Sequence, residues 1–262
     1  MHLTTWNVNS IRAREERLVG WLHSARPDVV CLQETKVPDE AFPHEALERV
    51  GYYAAVHGQR TYNGVAILSR TPPEDVICGM GDGAEDDQAR LIAATVGGVR
   101  VVSAYFPNGR EVGSDKYRYK LAWIERLTAY LGRYDLESDP VVLAGDFNIA
   151  PEKRDVDRVE QWSGSVLFNP DMTRSFQELL GLGLVDTFRL HCSEPGFYSW
   201  WDYRMLGFPK NNGLRIDHIL ASSALAPWCV GARIERDMRK GKKPSDHTVV
   251  WAEFTPTDGS AG

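Results

Sequence analysis

The sequence predicts an α+β fold in which two packed β-sheets are covered by helices. Three observations predict it. Short apolar runs rich in Val and Ile recur at 28–33, 64–69, 99–106, 140–144, 215–221 and 248–254. They are too short for helices and read as buried strands. Amphipathic segments lie between them, and strands are often adjacent in sequence, which suggests two packed sheets covered by helices.

The elements follow in order. Leu3 to Trp6 is extended and apolar, and Ser10 stands where it can cap a helix carrying Leu18, Val19 and Leu22. That helix stops at Arg26-Pro27. The segment 116–134 puts Tyr117, Leu121, Ile124, Leu127 and Leu131 on one face. A shorter helix is expected over 173–180, ended by Gly181. No repeat or linker divides the 262 residues, so we expect one domain over 1–254 and a small polar tail over 255–262.

Composition narrows the function classes. With 36 acidic and 30 basic residues the formal net charge is -6, so bulk charge does not draw the chain to nucleic acid. A polyanionic partner needs a local basic surface or a metal. The four cysteines, Cys31, Cys78, Cys192 and Cys229, have no zinc-finger or Cys-x-x-Cys spacing, which fits free thiols in a reducing cytoplasm. The first six residues lack the regions of a signal peptide, and no apolar stretch approaches a membrane span.

Polar residues gather at strand ends, where rigid sheets present functional loops. Gly145-Asp146-Phe147-Asn148 follows Val141 to Ala144, and Ser245-Asp246-His247 precedes the last strand. If the first segment is extended, Asp146 and Asn148 share a side and Phe147 faces the core. A carboxylate can activate water and an amide can orient the nucleophile or stabilise charge, which is equipment for phosphate-ester hydrolysis. Glu34, after the second strand, suits a hard divalent ion. His247 needs an orienting carboxylate, and Asp217 and Asp246 both qualify. His218, by its strand position, reads as a packing or supporting hydrogen-bond residue and not as a metal ligand.

Taken together, 5–14 (TWNVNSIRAR), 32–36 (LQETK), 104–109 (AYFPNG), 145–148, 197–204 (FYSWWDYR), 213–217 (GLRID) and 245–247 resemble the exonuclease III family of apurinic/apyrimidinic endonucleases. GDFN and SDH are shared by the wider endonuclease/exonuclease/phosphatase superfamily, while the other segments point to its DNA-repair branch. The resemblance implies a four-layer α/β/β/α sandwich. It also implies a Mg²⁺-dependent phosphodiesterase, with Mn²⁺ as a substitute, that cuts duplex DNA 5′ to abasic sites and works on 3′ ends.

The resemblance carries roles onto matching residues. Tyr105, Asp146, Asn148, Asp217 and His247 become catalytic. Asn7, Glu34, Asp146, Asn148, Asp246 and His247 surround the metal, with Glu34 the main ligand. Trp200, Leu214 and Ile216 wall a pocket for an extruded baseless sugar. Asn108, Arg110 and Arg204 join the DNA contacts. Basic residues near these motifs, Arg110, Lys116, Arg118, Lys120, Lys153, Arg154 and 239–243, form a DNA-facing rim, and the acidic stretch 81–87 points away from it. A monomer is expected. The competing expectation is a phospholipid or inositol phosphate phosphodiesterase on the same fold.

Overall fold

Strands buried on both faces need mainly apolar residues, and the central strands 29–33, 65–69 and 141–146 have them. The computed structural model describes residues 1–84 and 87–256 and places the strands in two six-stranded sheets. The first holds β1 (His2–Asn7), β2 (Val29–Gln33), β3 (Tyr53–His57), β4 (Val65–Ser69), β11 (Cys229–Glu235) and β12 (Val249–Phe254). The second holds β5 (Glu74–Cys78), β6 (Leu91–Val96), β7 (Val99–Tyr105), β8 (Val141–Asp146), β9 (Leu184–Asp186) and β10 (Asp217–Ser222). The helices are α1 (Ile11–Ala25), α2 (His44–Glu48), α3 (Asp115–Leu131), α4 (Val159–Trp162), α5 (Pro170–Gly181) and α6 (Thr187–His191).

The orders are β11-β12-β1-β2-β4-β3 and β5-β6-β7-β8-β10-β9. Each sheet contains one parallel pair, β1–β2 and β7–β8, and its other pairings are antiparallel. A parallel pair needs a crossover, and α1 and α3 supply them. Alternation then builds the layers. Val29 and Cys31 of β2 face Ile92, Val101, Val142 and Ile219 of the other sheet. Val30 and Leu32 face outward onto Leu18 and Leu22 of α1. On the far side, Val102 and Leu143 pack against Ile124, Leu127 and Phe176 of α3 and α5. This is the four-layer α/β/β/α sandwich.

Several local expectations change. Ser10 precedes α1 at φ 86° and makes no side-chain cap, and its backbone N–H donates to the Glu34 carbonyl at 2.8 Å. α5 begins at Pro170, earlier than expected, since Asn169 caps it and proline suits the first helical position. On α3 the residue buried beside Tyr117 is Lys120, while Leu121 is partly exposed. β3, β5, β6, β9 and β11 lie outside the runs predicted above.

Of the tail, 257–262 lies outside the described residues, as do 85 and 86 of the acidic stretch. Asp82, in that stretch, bonds Arg126 at 2.6 Å. The four cysteines are free, and burial pushes the Cys31 thiol up to about 12. Among the described residues no helix is long and apolar enough to cross a membrane.

Candidate active site

The carboxyl ends of the two parallel pairs meet at one edge of the sandwich. Asn7 ends β1 and Glu34 follows β2, while Tyr105 ends β7 and Asp146 ends β8. The antiparallel register of β10 sets Asp217 directly opposite Asp146. His247 enters from the turn before β12.

Local backbone shape holds these groups. A Cβ on Gly145 would sit 1.8 Å from the Ala104 carbonyl oxygen, so only glycine lets β8 lie this close to β7. Glu34 and Asn148 adopt left-handed φ of 53° and 51°. Asparagine tolerates that region, and glutamate does so rarely, a pattern concentrated at functional sites. Asn148 therefore reaches the side of Asp146 through a turn, not through the pleat of a strand. Phe147 faces the core as expected, stacked on Phe106 at 4.3 Å.

One hydrogen-bond network joins the cluster. The Asn7 amide donates to Glu34 Oε1 at 2.7 Å and to Asp146 Oδ2 at 2.9 Å. Asp146 Oδ1 accepts the Asn148 backbone N–H at 2.9 Å. The Asn148 side-chain amide donates to the Phe106 carbonyl at 3.0 Å, and its Oδ1 accepts from Asn108 at 3.0 Å. His247 Nδ1 lies 2.9 and 3.1 Å from the two Asp217 oxygens, and Nε2 lies 3.7 Å from Asp146 Oδ2. The open choice of histidine partner thus falls to Asp217. Asp246 instead accepts from Asn9 at 2.9 Å and from the Trp200 indole at 3.1 Å.

Charge is crowded here. Burial raises the Asp146 carboxyl and outweighs the lowering by His247, with Asp217 and Glu34 adding to the rise. Burial opposes a charged His247 ring, but Asp217 and Asp146 prevail and move it well above the ordinary histidine value. Burial also lifts the Tyr105 hydroxyl, reinforced by Glu34 and Asp146, so it stays protonated. Single donor atoms of Glu34, Asp146 and His247 all lie within 4.8 Å of one another. Two carboxylates and an acid surplus form an oxygen-rich donor set that fits a hard divalent cation.

Beside this cluster lies a cavity of about 620 Å³ lined by Asn108, Arg110, Trp162, Leu167, Trp200 and Arg204, among others. Trp162 meets Trp200 edge-on at 5.8 Å. Leu214 and Ile216, expected in the wall, lie behind it. Bridges from Leu214 to Val156 and Trp200 draw both side chains into a buried cluster with Val156 and Leu167. Trp201 is a core residue. Arg204 is tied to Asp202 at 3.0 Å, and Arg110 stands exposed at φ 57°.

The basic rim also needs correction. Lys120 is fully buried, and Arg239 is buried with its guanidinium over Tyr203 and Phe208. Sequence reasoning missed Lys36, Asn9 and Arg90. Lys36 bonds Glu34 at 2.7 Å and Asn9 at 2.6 Å, and Arg90 lies 4.7 Å over the Tyr105 ring. Lys36 was within reach, being two residues from Glu34, whereas only strand pairing brings Arg90 to Tyr105. His218 is buried and hydrogen-bonded to the Ile149 carbonyl at 2.8 Å and to Arg215 at 3.1 Å, and it is not one of the candidate metal ligands.

Comparison with known proteins agrees with this geometry. The chain is 39% identical to exodeoxyribonuclease III of Haemophilus influenzae over 266 residues, covering 97% of this chain and all of the relative. It superposes with a TM-score of 0.95 on a 3′ phosphatase from Neisseria bound to a product DNA hairpin, at 42% identity over 97% of this chain and 99% of that one. An AP endonuclease from Archaeoglobus fulgidus gives a TM-score of 0.94 at 40% identity, covering 98% of this chain and 100% of that one. The family model described as Endonuclease/Exonuclease/phosphatase matches residues 4–247, and the chain belongs to that family.

Proposed function

We infer that the protein is a metal-dependent DNA-repair nuclease that hydrolyses the phosphodiester 5′ to an abasic site, leaving a 3′-hydroxyl and a 5′-deoxyribose phosphate. It also acts at 3′ ends, removing blocking groups and degrading duplex DNA. The observation that carries this reading is the convergence of Glu34, Asp146 and His247 beside an aromatic cavity, in a chain whose relatives are DNA nucleases. Those relatives give no support to a phospholipid or inositol phosphate substrate.

Glu34 and Asp146 would hold a magnesium ion, or manganese in its place, with Asn7, Asn148, His247 and Asp246 around them. When bound, the ion supplies positive charge against the phosphate and the leaving oxygen. Asp146, aligned by the Asn7 and Asn148 N–H groups, takes the proton of the attacking water. Asn148, braced by Asn108 and the Phe106 carbonyl, orients that water. His247, held by Asp217, donates from Nε2 to a phosphate oxygen, and Tyr105 donates its hydroxyl to another.

Specificity arises beside this chemistry. Trp200 and Trp162 present flat faces to a sugar without a base, and extrusion costs least where the base is already gone. Leu214 and Ile216 set the wall from behind, while Arg110 and Arg204 contact the DNA. Asp246 links wall to metal site through the Trp200 indole. A monomer working in the cytoplasm completes the proposal.

The test is product analysis on end-labelled duplexes, one with an internal abasic site and one without, with and without EDTA. Magnesium-dependent incision 5′ to the site is expected. Incision on the 3′ side, or cleavage that survives EDTA, would overturn the reading.

A further inference from the structure

Lysine is among the side chains least often fully buried, because its charge is costly to remove from water. Lys120 has no exposed surface. Its ammonium donates to the carbonyls of Val166 at 2.7 Å, Asn148 at 2.8 Å and Asn108 at 3.3 Å. An ammonium has three N–H donors and no acceptor, so all of its capacity goes to main chain.

The three carbonyls belong to three separate loops, and each loop bears part of the site. Asn108 follows Tyr105 and braces the Asn148 side chain. Asn148 sits in its left-handed turn beside Asp146. Val166 lines the cavity that Trp162 and Trp200 enclose. The first loop lies directly on the lysine stem. Gly109 has φ 91°, and a Cβ there would come within 3.1 Å of Lys120 Cδ and 3.3 Å of Tyr117. α3 in turn is fixed at this point, since the Tyr117 hydroxyl donates to Asn169, the cap of α5, at 3.0 Å.

We propose that Lys120 is a positioning residue whose three main-chain bonds fix Asn148 against the reacting phosphate and keep the cavity wall in register with it. An apolar side chain of similar length would fill the same space but leave three loop carbonyls unbonded. The inference rests on the role assigned above to Asn148. It separates Lys120 from the rim lysines, because a buried side chain whose donors all go to main chain makes no direct phosphate contact.

The experiment compares Lys120→Met, Lys120→Gln, Asn148→Ala and the Asn148→Ala/Lys120→Met double variant. Single-turnover incision of an abasic duplex at saturating protein gives the chemical step. Duplex Kd is measured across a salt series, and thermal unfolding reports the fold.

Lys120→Met is expected to slow the chemical step by roughly 10²-fold, the size typical of losing one oriented polar stabiliser. Kd and its salt dependence should stay within about twofold of wild type. Lys120→Gln, which keeps two N–H donors, should recover part of the rate, and it carries the comparison if the methionine variant does not fold. In the Asn148→Ala background Lys120→Met should cost less than roughly threefold, because groups acting as a unit are non-additive.

Three results would overturn the proposal. Equal losses in both backgrounds make Lys120 a general structural residue, and a shallower salt slope makes it a phosphate contact. Full activity in Asn148→Ala would refute the assigned role of Asn148, and this inference with it.

Discussion

Asp217→Asn changes a few atoms at the bottom of the site and should remove most of its activity. In the wild type both carboxylate oxygens face His247 Nδ1, at 2.9 and 3.1 Å, with Asp217 only 1% exposed. Asparagine keeps the shape but presents one acceptor and one donor. A buried hydrogen bond to a charged group contributes about 1.5–3 kcal/mol, or roughly 10- to 100-fold in rate. An asparagine that presents its N–H also forces the ring into the tautomer with its proton on the other nitrogen. The same change in a serine-protease triad costs about 10⁴. We therefore expect a loss of roughly 10²–10⁴-fold.

The assay is single-turnover incision of an end-labelled abasic duplex, with thermal unfolding in parallel. Asp217→Ala should in addition destabilise the fold by about 3–5 kcal/mol, because His247 is then left as an unpaired buried charge. The decisive variant is the double one. If Asp217 acts only by holding His247, Asp217→Ala/His247→Ala is little worse than His247→Ala alone. Multiplying losses would refute the pairing. A silent Asp217→Asn beside a crippled Asp246→Asn would move the partnership to Asp246.

Three further outcomes are expected. Glu34→Ala should raise the magnesium concentration for half-maximal incision by at least roughly tenfold, and an unchanged titration would remove Glu34 from the metal site. Trp200→Ala should weaken abasic incision more than digestion of an undamaged 3′ end, by roughly tenfold or more; equal losses, measured in one buffer, would make Trp200 merely structural. His218→Gln should flatten the acid limb of stability. Burial and then Arg215 hold the ring at about 4 instead of 6.5, so its contribution is complete above pH 6.5 and is lost as pH falls through 4. That loss amounts to about 3 kcal/mol. Urea unfolding between pH 7.5 and 4.5 checks it, and parallel pH slopes for wild type and variant would exclude His218 as the titrating group.

How much of this was legible depends on whether a residue's neighbours lie near it in sequence. Gly145 to Asn148 could be read as a site because the strand, the tight glycine and both polar groups are contiguous. The choice between Asp217 and Asp246 could not. Asp246 is next to His247 in the chain, but the β8–β10 register brings Asp217 to it from 30 residues away. The edge strands were weak signals for a physical reason. β5, Glu74–Cys78, is exposed along its whole length, and β9 has only three residues. β6 carries as clear an apolar run as the strands that were expected. Lys120 was misread by residue type, since a lysine on a helix usually faces solvent. Its position told otherwise: 117, 120, 124, 127 and 131 follow helical spacing, and all five side chains are buried. Arg215 repeats the lesson. It is fully buried before β10, bonded to Asp155 at 2.6 Å and Asp186 at 2.7 Å.

The symmetry of the two sheets explains why the site lies where it does. Each has the same pairing pattern along its order, with one parallel pair in the middle, and the sheets stack so that β1 and β2 lie over β8 and β7. Neither sheet holds a complete site. The first brings Asn7, Glu34 and His247, and the second brings Tyr105, Asp146 and Asp217. The bonds that complete it cross the interface: Asn7 to Asp146 and His247 to Asp217. Asn7 is the sharpest case. Carboxylates only accept, so the two N–H bonds of one amide can span two of them from opposite sheets. The amide cannot flip without loss, because its oxygen accepts the Asn9 backbone N–H at 2.9 Å. Glu34 and Asp146 are therefore held at a spacing fixed by a single side chain.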